Sequence, residues 1–220
     1  VDLHKTASAM HEVYLSSSDN WFPREYKFKD LLAIYKDTYP EFDTEFAEDL
    51  IKVFDVNVKQ TYSKASTGYK SIMKIILALA NPSEYIFLDE PVLGLDANHR
   101  HIFNKKLLEA YARRPRTFVI ATHLIEEVAS ILEKVIVIKD GLVTEEVLVE
   151  DVLRKGYVVS GASPLVQEYV ADKKVLETEQ IGNFTRSVVI GAIGEAQPGL
   201  EFSPLTLQDY FISITRKENE

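Results

Sequence analysis

The chain has 220 residues, 46% of them hydrophobic, with 25 basic against 34 acidic side chains and a formal net charge of −9. That is enough apolar material for one substantial core plus a smaller appended unit. The acidic balance argues against nucleic-acid binding, which draws most of its affinity from Lys and Arg neutralising phosphates.

The absence of cysteine excludes disulfides, thiolate metal sites and cysteine nucleophiles. No apolar run is as long as a membrane span, and no signal-peptide pattern opens the chain. A soluble, cytoplasmic protein is expected. The first residue is Val1 rather than Met, and an upstream segment is expected to be missing.

In chain order, Val13-Tyr14-Leu15 reads as a short buried strand running into the polar segment Ser16 to Asn20 and the turn Trp21-Phe22-Pro23. From Phe28 to about Asp55 apolar residues recur at helical intervals, and Pro40 divides them into two amphipathic helices. A third helix is predicted from Ser71 to Ala80, stopped by Asn81-Pro82. Tyr85-Ile86-Phe87-Leu88 is a continuous apolar run, the pattern of a parallel strand covered on both faces, and it delivers Asp89 and Glu90 to its end. A helix over Ala97 to Arg113, a strand Thr117 to Ala121 ending at Thr122-His123, a helix Leu124 to Leu132 and a strand Lys134 to Ile138 follow, closing at Asp140-Gly141.

Such alternation predicts an α/β fold with a parallel sheet wrapped by helices. Beyond about residue 150 the pattern changes to short strands at Tyr157 to Ser160, Lys174 to Thr178 and Arg186 to Ile190. Helices are predicted at Pro164 to Ala171 and Leu205 to Ile214. Residues 151 to 220 therefore read as a small α+β appendage to a domain spanning 1 to 150, in which residues 24 to 81 form a helical insert.

The C-terminal ends of parallel strands are where open α/β sheets bind ligands. Asp89 there could hold Mg²⁺ and Glu90 polarise a water molecule, although an acidic pair can also simply mark a strand meeting solvent. Upstream, Ser66 and the amides around Gly68 at a helix start could bind an anion; a plain serine N-cap is the commoner use of such residues. Gly94-Leu95-Asp96 is a tight loop whose carboxylate would ordinarily cap the next helix. His123, at the end of the second strand, could donate to a phosphate or a water molecule, or serve structure alone.

In this order and spacing the residues resemble the nucleotide-binding subunit of an ABC transporter over about residues 10 to 145. In that family's terms Ala65 to Tyr69 resembles the signature loop, Tyr85 to Asp89 the Walker B strand, and Glu90 the catalytic glutamate. Gly94 to Asp96 resembles the D-loop and His123 the switch histidine.

The resemblance implies a P-loop NTPase-like sheet with a helical insert. It implies ATP and Mg²⁺ as ligands, and a homo- or heterodimer with another ATP-binding subunit. It further implies an integral membrane permease as partner and a place on the inner face of the cell membrane. It assigns Asp89 to the metal and Glu90 and His123 to catalysis, with Ser66, Thr67, Gly68, Asp96 and Ser17 contacting nucleotide. Trp21-Phe22-Pro23, near the family's Q-loop, is a candidate surface for the permease.

The sequence departs from the pattern in three places. It has no Gly-x-x-x-x-Gly-Lys-[Ser/Thr] phosphate loop and no Gly-Lys dipeptide, so as written it is expected to bind nucleotide poorly and hydrolyse it hardly at all. Ser17 stands where the family has glutamine. Ala65, Thr67 and Tyr69 replace Leu, Gly and Gln in the signature. Two other readings compete with the transporter ATPase: a non-hydrolysing interaction module of the same fold, and a soluble relative acting in DNA repair or translation, which the acidic charge disfavours.

Overall fold

The computed structural model describes residues 9–19, 22–195 and 197–216. Asn20 and Trp21 lie outside the described residues, so of the candidate permease-facing turn only Phe22 and Pro23 are described. The chain divides into two compact units, Val1–Glu127 and Val128–Glu220, whereas the sequence pattern puts its boundary near residue 150. Among the described residues no helix is long and apolar enough to cross a membrane.

The first unit is built on three parallel strands, β1 (Val13–Ser16), β2 (Tyr85–Asp89) and β3 (Thr117–Ala121), in the order β1-β2-β3. Register places Ser16 opposite Leu88 and Asp89 opposite Ala121, so the residues after each strand emerge at one end of the sheet. One turn of helix, α1 (Ala9–Glu12), precedes β1. The connection from β1 to β2 carries α2 (Phe28–Thr38), α3 (Thr44–Val53) and α4 (Thr67–Leu79). The parallel pairing of these strands and the helical insert between β1 and β2 are as predicted.

Local chemistry sets the helix limits. The Asp30 carboxylate accepts the Lys27 amide at 2.9 Å at the start of α2, and Asp43 caps α3 by accepting from the Phe46 amide at 2.9 Å. Ser66 caps α4 by accepting from the Tyr69 amide at 3.2 Å, so α4 starts at Thr67, four residues earlier than the apolar periodicity indicates. The helix α5 (Ala97–Arg113) and strands β2 and β3 have the predicted limits.

The core lies around α4, whose Ile72, Met73, Ile75, Ile76 and Leu79 are buried. With them are Phe28 and Leu31 of α2, Phe46 and Leu50 of α3, Ile86 and Leu88 of β2, and Phe103 of α5. Among the described residues only one face of the sheet is closed in this way. Leu15, Tyr85, Phe87 and Val119 on the other face are 64%, 44%, 36% and 38% exposed, which corrects the expectation of a strand covered on both faces.

Two further corrections follow β3. The predicted helix 124–132 is a single α-turn, α6 (Ile125–Val128), continued by a 3-10 turn at Ala129–Ile131. The next strand, β4 (Lys134–Lys139), does not extend the parallel sheet among the described residues. It pairs antiparallel with β5 (Leu142–Leu148) across Asp140 and Gly141, both at positive φ, 50° and 76°. That is the conformation a tight right-twisted hairpin requires.

The remainder of the second unit contains α7 (Val149–Arg154), β6 (Gly156–Ala162), α8 (Ser163–Val170), β7 (Lys174–Ile181), β8 (Phe184–Ile190), β9 (Leu200–Pro204) and α9 (Leu207–Arg216). Its antiparallel sheet has the order β7-β8-β6-β9. Tyr157, Val159, Val166, Tyr169 and Val189 form its buried cluster. This is the expected α+β composition, with β5, α7 and β9 added to the elements the sequence pattern suggests.

Candidate functional site

The site lies at the C-terminal ends of β1, β2 and β3. Glu90, the residue after β2, has a φ of 47°, a region that non-glycine residues occupy at some energetic cost. Its amide donates to the Ala121 carbonyl at 2.8 Å. This twist turns the side chain toward the end of β3, where three donors converge on the carboxylate. The Thr122 hydroxyl donates to Oε2 at 2.8 Å, the His123 amide to Oε1 at 3.1 Å, and His123 Nδ1 lies 2.8 Å from Oε1.

Burial works against the Glu90 charge, but the hydrogen bonds from His123 and Thr122 outweigh it and hold the group below its ordinary value. A carboxylate is an acceptor, so Nδ1 carries the hydrogen. The His123 ring is 66% exposed and its Nε2 is left on the far side from the carboxylate. The Thr122 oxygen also accepts from the Leu124 amide at 3.0 Å, which fixes the hydroxyl that orients Glu90.

Asp89 is held from the other side. Ser18, in the loop after β1, donates both its hydroxyl (2.6 Å) and its amide (3.0 Å) to Asp89 Oδ2. These bonds depress the Asp89 carboxyl; partial burial opposes them and the Lys74 ammonium assists. Oδ1 has no protein hydrogen bond among the described residues, so an ionised oxygen remains for a cation. No group of three or more His, Cys, Asp or Glu side chains clusters among those residues. The donor set fits Mg²⁺, which is commonly held by one carboxylate, with water and phosphate completing its octahedron.

The Ser18 loop is itself clamped by α4. Lys74 Nζ donates to the carbonyls of Ser17, Ser18 and Asp19 at 2.9, 2.9 and 2.8 Å. Burial lowers the Lys74 pKa, with Asp19 and Asp89 opposing the shift. Ser17, the expected nucleotide contact, turns its hydroxyl to accept from the Asp19 amide at 3.1 Å. Its neighbour Ser18 is the residue on Asp89.

The signature-like segment and the Gly94 loop meet through their backbones. A Cβ on Gly68 would fall 2.3 Å from the Gly94 carbonyl oxygen, and Gly94 has a φ of 77°. Nearby, the Ser71 hydroxyl donates to the Leu93 carbonyl at 3.0 Å. Ser66 and Thr67 are exposed beside this contact. Asp96 caps α5, accepting from the His99 amide at 2.8 Å, with His99 Nδ1 2.9 Å away. Ser66 and Asp96 thus perform the local capping roles allowed for them, and both remain at the surface.

The sheet brings Asp89, Glu90 and His123 together, and the backbone brings Gly68 against Gly94. Sequence reasoning missed Ser18, Lys74 and Thr122. A sequence signal existed for Thr122 alone, which adjoins His123.

No family model matches the chain. It is 27% identical over 158 residues to the ABC transporter ATP-binding protein YtrB of Bacillus subtilis (strain 168), covering 72% of this chain and 54% of that protein. It is 28% identical over 165 residues to a Nod factor export ATP-binding protein I of Burkholderia orbicola, covering 70% and 54%. The chain spans about half the length of the curated relatives it matches.

Among solved structures it superimposes on an ATP-binding subunit of an ABC transporter with a TM-score of 0.59 at 18% identity, over 67% of this chain and 63% of that one. A bacterial Atm1-family ABC exporter with ATP bound gives 0.53 at 16% identity, over 67% and 27%. The fold is that of ABC ATP-binding subunits, and the sequence relatives are named as ATP-binding proteins of that kind.

Proposed function

We propose that the full-length product carrying this chain is an ATP-binding, ATP-hydrolysing subunit that powers an ABC-type membrane transporter. It works as a dimer with another ATP-binding subunit, against an integral membrane permease on the inner face of the cell membrane. The observation that carries this reading is the Glu90 carboxylate, kept ionised by donors from Thr122 and His123 and adjacent to an Asp89 held on Ser18.

Bound Mg²⁺ and ATP would supply the phosphoryl group transferred to water and charge that stabilises its transfer. Within the protein, Glu90 accepts a proton from the attacking water at a carboxylate oxygen, while Thr122 and the His123 amide keep that carboxylate from rotating. His123, in the imidazolium form that carries hydrogen on both ring nitrogens, would donate from Nε2 to the terminal phosphate while Nδ1 stays on Glu90. Asp89 offers Oδ1 to the cation. Ser66, Thr67 and the Gly68 amide face the nucleotide of the second subunit across the dimer, with the N-terminal dipole of α4 favouring the anion. Asp96 lies in the loop that links the two sites, and Ser17 adds a polar contact near the nucleotide.

The test is Glu90→Gln in the full-length product. It removes the proton acceptor but preserves shape, so ATP turnover should fall by about 10²- to 10⁴-fold while the ATP-bound dimer accumulates on size exclusion. Turnover at the wild-type rate would remove Glu90 from this role.

A further inference from the structure

At the pole of the first unit opposite the carboxylates, where the chain passes from α4 to β2 and from α5 to β3, lies a cavity of about 320 Å³. Its lining includes Arg113, Arg114, Arg116 and Asn81, with the carboxylates of Glu41 and Asp43. The acceptors here are already used. Arg116 donates to the carbonyls of Asn81 and of Leu79 (2.6 Å), and the Asp43 amide donates to the Ala80 carbonyl at 2.9 Å, which satisfies the end of α4. Asp43 accepts from Arg113 Nε and Nη2 at 3.1 and 3.0 Å, and Glu41 from Arg114 Nη1 at 2.8 Å.

Donors are left over. Asn81 is fully buried (0% exposed); its Oδ1 accepts from the Ser83 amide at 2.9 Å, which fixes the orientation of the side-chain amide, and its Nδ2 has no acceptor among the described residues. Arg116 Nε is likewise buried without one. Buried donors are seldom unpaired, because losing water without gaining an acceptor is costly. Burial, and secondarily Arg114, lower the Arg116 pKa to about 10, with Asp43 opposing. The lining itself carries three guanidinium groups against two carboxylates, with the Glu45 carboxylate 4.0 Å from Arg113 Nη2 just outside it.

We propose that this cavity is a binding site for a small oxyanion of the phosphate class. The unpaired donors of Asn81 and Arg116, both residues of its lining, would hold the anion, along with the remaining donors of Arg113 and Arg114. Guanidinium groups and amide N–H donors are the usual partners of such anions. The site is independent of the ATPase reading and shares no residue with it.

Titrating the 220-residue chain with inorganic phosphate at constant ionic strength, by calorimetry and by the Arg Nε–Hε resonances, tests the proposal. Saturable binding with a shift of the Arg116 Nε–Hε signal is expected. Asn81→Asp keeps the acceptor for the Ser83 amide and supplies the missing anion from within, so phosphate affinity should fall about tenfold or more while the thermal midpoint holds or rises. Should that variant fail to fold, Arg114→Gln on the exposed rim should also weaken binding. A cavity that holds only water gives no saturable response in the wild type, and phosphate bound elsewhere gives equal affinity in wild type and variants; either result overturns the proposal.

Discussion

Replacing Gly68 with alanine tests the contact between the start of α4 and the Gly94 loop. The new methyl carbon would lie 2.3 Å from the Gly94 oxygen and 3.2 Å from its carbonyl carbon. The first distance is about 1 Å short of a comfortable van der Waals separation. The obstacle is backbone, not the end of a pliable side chain. The Gly94 loop is also held by buried Leu95, by the Ser71 hydroxyl on the Leu93 carbonyl and by Asp96 capping α5.

Forcing a packed segment to shift costs about 1–3 kcal/mol. Against this, alanine is favoured over glycine in a helix by up to about 1 kcal/mol, and less in the first turn. The clash wins, and a net loss of about 1–2 kcal/mol is expected. In urea denaturation followed by circular dichroism that corresponds to a midpoint lower by roughly 0.5–1 M with an unchanged slope. A midpoint equal to or above the wild type would mean that the loop yields freely and that the two glycines are not in obligatory contact.

Lys74→Met removes the clamp on the Ser18 loop. The three carbonyls lie near solvent and water can replace the ammonium, so the loss is about 1–2 kcal/mol, below the full worth of three charge-assisted bonds. Protection of the Ser18 amide against hydrogen exchange should fall by about 5- to 30-fold, with the Ile86 and Leu88 amides of β2 unaffected; an unchanged Ser18 amide would show that the loop is ordered without Lys74. The acidic pair predicts a pH response. The folded-state pKa values of Glu90 and Asp89 lie below their ordinary 4.5 and 3.8, so their stabilisation is fully present above those values and is lost as pH falls through the folded ones. The stability difference between wild type and Glu90→Gln, measured by urea midpoints, should therefore narrow on acidification; a constant difference would show that the Glu90 hydrogen bonds favour neither protonation state.

What the sequence made legible follows from how local the cause was. The limits of β2, α5 and β3 could be read because apolar periodicity, the Asp96 cap and the Arg-rich end of α5 all act within a few residues. The start of α4 was misplaced because apolar periodicity begins after the first turn, where Ser66 supplies the cap. The hairpin of β4 and β5 had a local signal in Asp140-Gly141 between apolar segments, but the preceding strand–helix alternation favoured a parallel reading.

Other features depended on distant residues. The run Tyr85 to Leu88 is the same whether one face of the sheet or both are covered, so the exposure of Tyr85 and Phe87 could not be read from it. Asp89, Glu90 and His123 could be found as residues ending strands. Ser18 and Lys74 could not, because their contacts with Asp89 and with residues 17–19 join segments more than fifty positions apart.

Helix α4 is the common anchor for both loops that flank the acidic pair. Lys74, on one side, grips the carbonyls of residues 17–19, and Ser71, one turn earlier, grips the carbonyl of Leu93. Around these two residues the helix is packed into the core by Ile72, Met73, Ile75 and Ile76. Mechanically α4 is a shared lever: Ser66 and Gly68 at its start lie on the same helix as both tethers, so a tilt there would act on both loops. It pulls on the segment that holds Asp89 and on the one that follows Glu90 together. A force applied at the start of α4 would thus reach both carboxylates in phase, through two short hydrogen-bonded tethers.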